Sequence, residues 1–105
     1  MKMHYDSPDH MTGDADGISF EGFCIPLPPS NLIFINVAGG FIGCGFFDMG
    51  TFEKLGIPAV KITGVSSLEE LLHGKIVYVT KPAENLGIKI GMTGEDALLR
   101  MRFSD

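Results

Sequence analysis

The chain has 105 residues, enough for one small domain with a single core, and an apolar fraction of 45% suits a folded protein. Eight basic residues against thirteen acidic ones give a net charge of −5 with no basic cluster, so nucleic-acid binding lacks its electrostatic footprint. No apolar run reaches the length of a membrane span, and none follows the first residues as a signal peptide would require, so a cytoplasmic protein is expected.

Residues 1–17 carry Asp6, Asp9, Asp14 and Asp16 with few large apolar side chains, and read as a mobile polar tail with at most a short strand. His4 and His10 with these aspartates match no defined metal-site spacing. Asp14-Ala15-Asp16-Gly17 resembles part of a calcium loop, but that register puts Thr12 first and Phe23 last, where carboxylates are needed. A single domain is expected over 18–105. Its first strand spans 18–27, where the apolar parity switches at Gly22 and predicts a bulge. Pro26, Pro28 and Pro29 suit an edge or a connector.

The stretch 31–56 organises the rest. Strands over 31–37 and 41–47 flank Gly39-Gly40, which reads as a tight hairpin turn. A two- or four-residue loop pairs Ile35 with Cys44, Ile33 with Phe46 and Val37 with Ile42 on a wholly apolar core face. The other face carries Phe34, Phe41 and Phe47 around Gly43 and Gly45, a flat surface that a helix, a second subunit or a ligand could cover. Asp48 reads as the N-cap of a helix over 48–55, with Phe52 and Leu55 inward and Gly56 as its stop. Gly43-Cys44-Gly45 is no dinucleotide fingerprint, because Asp48 stands at the third glycine and would repel a pyrophosphate.

A strand over 58–63 follows. Ser67-Leu68-Glu69-Glu70 has the form of a capping box, opening a helix over 67–73 with Leu68, Leu71 and Leu72 inward and His73 in its last turn. With a strand over 75–80, this predicts a parallel, right-handed βαβ unit. Pro82 opens a short helix over 82–86, and Ile88 and Ile90 return to the core. Thr93-Gly94-Glu95-Asp96 caps a last helix over 94–102, with Ala97, Leu98 and Met101 on one face and Arg100 and Arg102 at its end.

Four of these pieces together resemble the YunC-like domains of unknown function. They are Leu27-Pro28 with Asn31-Leu32, the run from Gly40 to Gly45, Glu53 to Gly56, and Leu86 to Leu98. The similarity extends from about Gly17 to Met101, and its most specific parts are Cys44-Gly45 and Gly91-Met92-Thr93-Gly94. The resemblance implies a two-layer α/β sandwich and no established activity. The expected class is α+β: a small mixed sheet with short helices mainly on one face.

Two functional readings lead, with metal binding or a regulatory partner role through the N-terminal tail as a third. The first is a self-associating binding module: a homo-oligomer using the Phe34, Phe41, Gly43, Gly45 and Phe47 face, with a small-ligand site drawn from Gly43, Gly45, Asp48 and Thr93. The second is an enzyme with Cys44 as nucleophile, for which His73, Asp48 and Thr93 are candidate partners. Cys24 and Cys44 both lie in strand-like sequence, and a structural disulfide is not expected in the cytosol. The residues name no cofactor, metal, nucleic acid or membrane as a partner.

Overall fold

Five strands follow one another as an antiparallel meander: β1 (Lys2–Ser7), β2 (His10–Ala15), β3 (Ile18–Leu27), β4 (Ser30–Val37) and β5 (Gly40–Gly43). The computed structural model describes residues 2–15 and 17–101. Helix α1 (Met49–Leu55) then carries the chain to β6 (Ala59–Ile62), which runs parallel to β5. Helix α2 (Leu68–His73) leads to β7 (Ile76–Val79), and α3 (Lys81–Asn85) and α4 (Gly94–Met101) complete the chain. Among the described residues the seven strands form one sheet in the order β1 to β7. The architecture is the expected α+β one, a mixed sheet with short helices mainly on one face.

That face is the core. Phe20, Cys24, Ile33, Ile35, Val37, Ile42, Val60 and Ile62 of the sheet pack against Leu68, Leu71 and Leu72 of α2, Ala83 of α3, and Ala97, Leu98 and Met101 of α4. Each large aliphatic side chain buried there stabilises the fold by about 1.5–3 kcal/mol. Among the described residues only α1 lies on the opposite face, where Met49 packs with Phe41 and Ala59, flanked by Phe34, Phe47, Phe52 and Ile57. One of the three expected covers for the Phe41 face, a helix of the same chain, is thus in place. Gly43 has no room for a side chain: a Cβ there would stand 2.6 Å from the Phe41 ring and 2.8 Å from the Phe47 ring.

The helix ends follow their caps. The Asp48 carboxylate accepts the Gly50 N–H at 2.9 Å, and Gly56 closes α1 in the left-handed region at φ 70°. Ser67 Oγ accepts the Glu70 N–H at 3.1 Å, while the Glu70 carboxylate reaches back to the N–H and hydroxyl of Ser66. Thr93 and Asp96 form a reciprocal box, each side chain accepting the other's backbone N–H at 3.1 and 3.0 Å. Leu55, expected inward, is exposed. Arg102, the expected last residue of α4, lies outside the described residues, as do Met1 and Asp16.

Several expectations are corrected. Residues 2–15, read as a polar tail, form the two strands of a hairpin, and Met11 is fully buried beside Gly22. The turn between β4 and β5 is Ala38-Gly39, with Ala38 at φ 50°, so Ile35 pairs with Ile42 and Val37 with Gly40. Gly40 serves packing rather than the turn, since a Cβ there would meet Met101 Sδ at 2.7 Å. The shift of two residues keeps each side chain on its face, but it shortens β5, and Phe46 becomes exposed instead of core. No bulge interrupts β3 at Gly22. Its two apolar parities face opposite sides of a regular strand, with Phe20 and Cys24 on the core and Phe23 stacked on Phe34 outside. β2 begins at His10 opposite Phe23, so β3 is an edge beyond Cys24, and Pro26 lies there. The parallel pair is β5/β6, joined through α1, whereas β6 and β7 are antiparallel because α2 packs over β3 and β4 instead of lying along β6. Ile88 is buried as expected, but Ile90 is exposed.

Candidate functional site

The β5/β6 pair determines where a ligand can be received. Past its carboxyl ends the two connections leave on opposite faces: β5 continues to α1 on the outer face and β6 to α2 on the core face. Ligands of open α/β sheets sit outside the carboxyl ends of strands at such a divergence, because backbone groups converge there without side chains filling the gap. A cleft of about 410 Å³ lies at this point, lined by Ser30, Asn31, Cys44, Gly45, Phe46 and Ser66, with Gly64 and Val65 between.

Each wall has a local cause. Cys44 continues the β4–β5 ladder one step past the strand: its N–H donates to the Ile33 carbonyl at 3.0 Å, and its Sγ accepts the Ile33 N–H at 3.4 Å. The thiol is 3% exposed. The chain then turns through Gly45 and leaves the Phe46 ring in solvent. Across the cleft, Asn31 Nδ2 donates to the Ser66 carbonyl at 2.9 Å and ties the start of β4 to the loop after β6. Glu70 holds the other side of that loop through Ser66. No charged side chain lines the cleft, and its polar groups are two hydroxyls, an amide and backbone.

Of the expected site residues, Cys44 and Gly45 meet at this cleft. Gly43 lies beneath Phe41 and Phe47. Asp48 accepts from Gly50 N–H and from the Thr51 hydroxyl at 3.3 Å, Thr93 is occupied at the start of α4, and neither lines the cleft. His73 is exposed at the last position of α2 and does not line it either. Asn31 and Phe46, expected only as parts of the hairpin strands, and Ser66 were not expected at a site. The signal that finds them is the parallel pairing of the two strands that end at Gly43 and Ile62, with Gly64 and two serines following the second.

Cys24 lies on the same core face, also free and buried. Burial pushes its thiol pKa up, and Asp9 and Cys44 add to the effect. The two cysteines flank Ile33 on either side, which sets their backbones about two strand spacings, or roughly 9–10 Å, apart. Disulfide geometry requires a closer approach.

Elsewhere, a larger hollow of about 830 Å³ is lined by residues of β1–β4 and by Ala38, with no helix connection converging on it. Next to it, His10 is bracketed by Asp6 and by Glu21 at 2.6 Å, and its pKa is raised by those two hydrogen bonds, Glu21 first. Among the described residues no group of His, Cys, Asp and Glu is arranged to hold a metal ion. No helix among them is long and apolar enough to cross a membrane.

Comparison with known proteins covers most of the chain. The family model of a domain of unknown function, DUF1805, matches residues 43–101, more than half of the sequence and including Cys44 to Phe46 and Gly64 to Ser66. The uncharacterised protein YunC of Bacillus subtilis is 39% identical, over 82% of this chain and 89% of its own. A crystal structure of a protein of unknown function from Thermoplasma acidophilum superposes with a TM-score of 0.76 at 28% identity, covering 90% of this chain and 88% of that one. The chain therefore belongs to the YunC-like, DUF1805 family.

Proposed function

We propose that this domain is a small binding module whose ligand site is the cleft at the carboxyl ends of β5 and β6. The observation that carries the reading is the divergence of α1 and α2 to opposite faces beside Cys44, Gly45 and Ser66. The lining favours a neutral ligand of metabolite size. The hydroxyls of Ser30 and Ser66 and the Asn31 amide can hydrogen-bond its polar edge, and the exposed Phe46 ring offers a flat apolar contact. The Glu70 carboxylate behind Ser66 disfavours an anion. Cys44 takes part as a wall and not as a nucleophile: its sulfur accepts a backbone N–H, and no His, Asp or Glu lines the cleft to act as its base.

The test is a melting-temperature screen with a panel of uncharged nucleosides, sugars and aromatic amides, repeated on two variants. Gly45→Ala fits, because its Cβ would meet Thr63 at an ordinary 3.4 Å, whereas Gly45→Arg fills the cleft. Compounds that stabilise the wild type and Gly45→Ala but not Gly45→Arg support the site. Stabilisation that survives Gly45→Arg, or none from the panel, removes it.

A further inference from the structure

The two edges of the sheet are not alike. β7 is capped on its open side: Ile76 donates to the Met92 carbonyl at 2.8 Å, accepts from Gly91 N–H at 2.9 Å, and Lys75 bridges to Thr93. β1 is the opposite edge, and each of its six residues is exposed. An uncovered edge strand presents free backbone donors and acceptors to another strand.

The ladder determines which groups those are. Cys24 N–H donates to the Asp9 carbonyl, so alternation along β3 makes Gly22–Met11 and Phe20–Gly13 the bonded pairs with β2. Thr12 and Asp14 of β2 then turn toward β1, where they pair with His4 and Lys2. Met3 and Tyr5 are left with their N–H and C=O pointing out of the sheet.

We propose that β1 pairs antiparallel with β1 of a second copy, about a two-fold axis at His4, joining two sheets into one. In this register Met3 of each copy faces Tyr5 of the other, and four outward N–H and C=O pairs close as backbone hydrogen bonds. Lys2 falls opposite Asp6, whose carboxylate also faces His10 of its own chain at the irregularity after Tyr5. Each end of the pairing thus sets a lysine beside that acidic group on the outer face. Met3 and Tyr5, 42% and 40% exposed, meet on the core side, beside an apolar cleft lined by Tyr5, Pro8 and Leu68. Neighbouring even-sum registers keep the outward groups matched but lose the Lys2–Asp6 pairs. The interface thus uses the β1 edge in place of the Phe41 face, which α1 already covers.

The test is sedimentation of the full chain across a concentration series. The wild type should approach twice the 11.3 kDa chain mass. Met3→Pro removes an N–H that points outward and spares the β1–β2 ladder, so it should sediment as a monomer with an unchanged circular dichroism spectrum. Lys2→Glu places like charges opposite each other at both ends and should weaken association about tenfold at low salt. A wild type that stays monomeric, or a dimer indifferent to both Met3→Pro and Lys2→Glu, overturns the proposal. If Met3→Pro fails to fold, Lys2→Glu decides alone.

Discussion

Cys44 shows how a residue can line a cleft and still belong to the core. Its sulfur replaces a carbonyl as acceptor for Ile33 N–H, and its side chain is 3% exposed among Ile33, Ile42 and their neighbours. Removing the sulfur by Cys44→Ala should cost about 1 kcal/mol, the scale of a small buried group and a weak hydrogen bond. Cys44→Ser should cost more, because its hydroxyl is smaller than the sulfur and must be buried as well. Iodoacetamide should modify both cysteines many-fold more slowly in the native protein than in urea. A Cys44 that reacts equally fast in both states would contradict its burial and revive the nucleophile reading. The core placement of Cys44 was legible from the alternation of Ile33, Ile35, Ile42 and Cys44. The misplacement of Phe46 was not avoidable from local pattern. Two adjacent glycines look like a turn, yet Gly40 is small because Met101, sixty-one residues later, lies against it.

At the scale of elements, caps were the most legible signals, because a cap is a contact between residues two or three apart. Asp48, Ser67 and Thr93 each bond as their spacing implied. The β1–β2 hairpin was hidden because its strands bury little: on the core side Met11 is fully buried while Met3 and Tyr5 stay exposed. Its other face is held by polar contacts and by a row of rings, His10, Phe23, Phe34, Phe41 and Phe52, with neighbouring centroids 4.6–5.6 Å apart. His10 stands at the end of this row and joins three strands through Asp6 of β1 and Glu21 of β3. Because its folded pKa is raised above the ordinary 6.5, the charged form is favoured in the native state. The linkage is fully present below about pH 6.5 and is lost as pH rises through the raised value. Hydrogen exchange of the Thr12 and Asp14 amides should therefore accelerate, beyond the intrinsic pH effect, on going from pH 6 to pH 9. His10→Gln should abolish that extra dependence. An identical pH response in wild type and variant would show that the bracket does not hold the hairpin.

For the whole molecule the open question is where the cooperative unit begins. The family match starts at Gly43, and composition suggests a boundary near residue 17. The packing argues for an earlier start. Met11 is fully buried, a Cβ on Gly22 would meet its Cε at 2.7 Å, and six consecutive residue pairs join β2 to β3. Without β2, β3 would become a bare edge, and Phe20 and Gly22 would lose the side chain that fills the space beside Leu68. The sheet topology could not be read from strand strengths alone for a related reason. Whether β6 joins β5 or β7 in parallel depends on where α1 and α2 pack, and those faces are chosen by Phe41 and Ala59 on one side and by Ile33 and Ile35 on the other. Met11→Ala should destabilise the fold by about 2–5 kcal/mol, as large buried side chains do. For a domain of this size that lowers the melting temperature by roughly 10–20 °C. A chain starting at Gly17 should lose at least as much, and its transition should broaden as the exposed β3 edge frays. If that shortened chain melts as sharply and as high as the full one, the hairpin is an appendage and the domain begins at residue 18. If both changes destabilise together, the meander from β1 onward is one cooperative unit with the α/β half that holds the cleft.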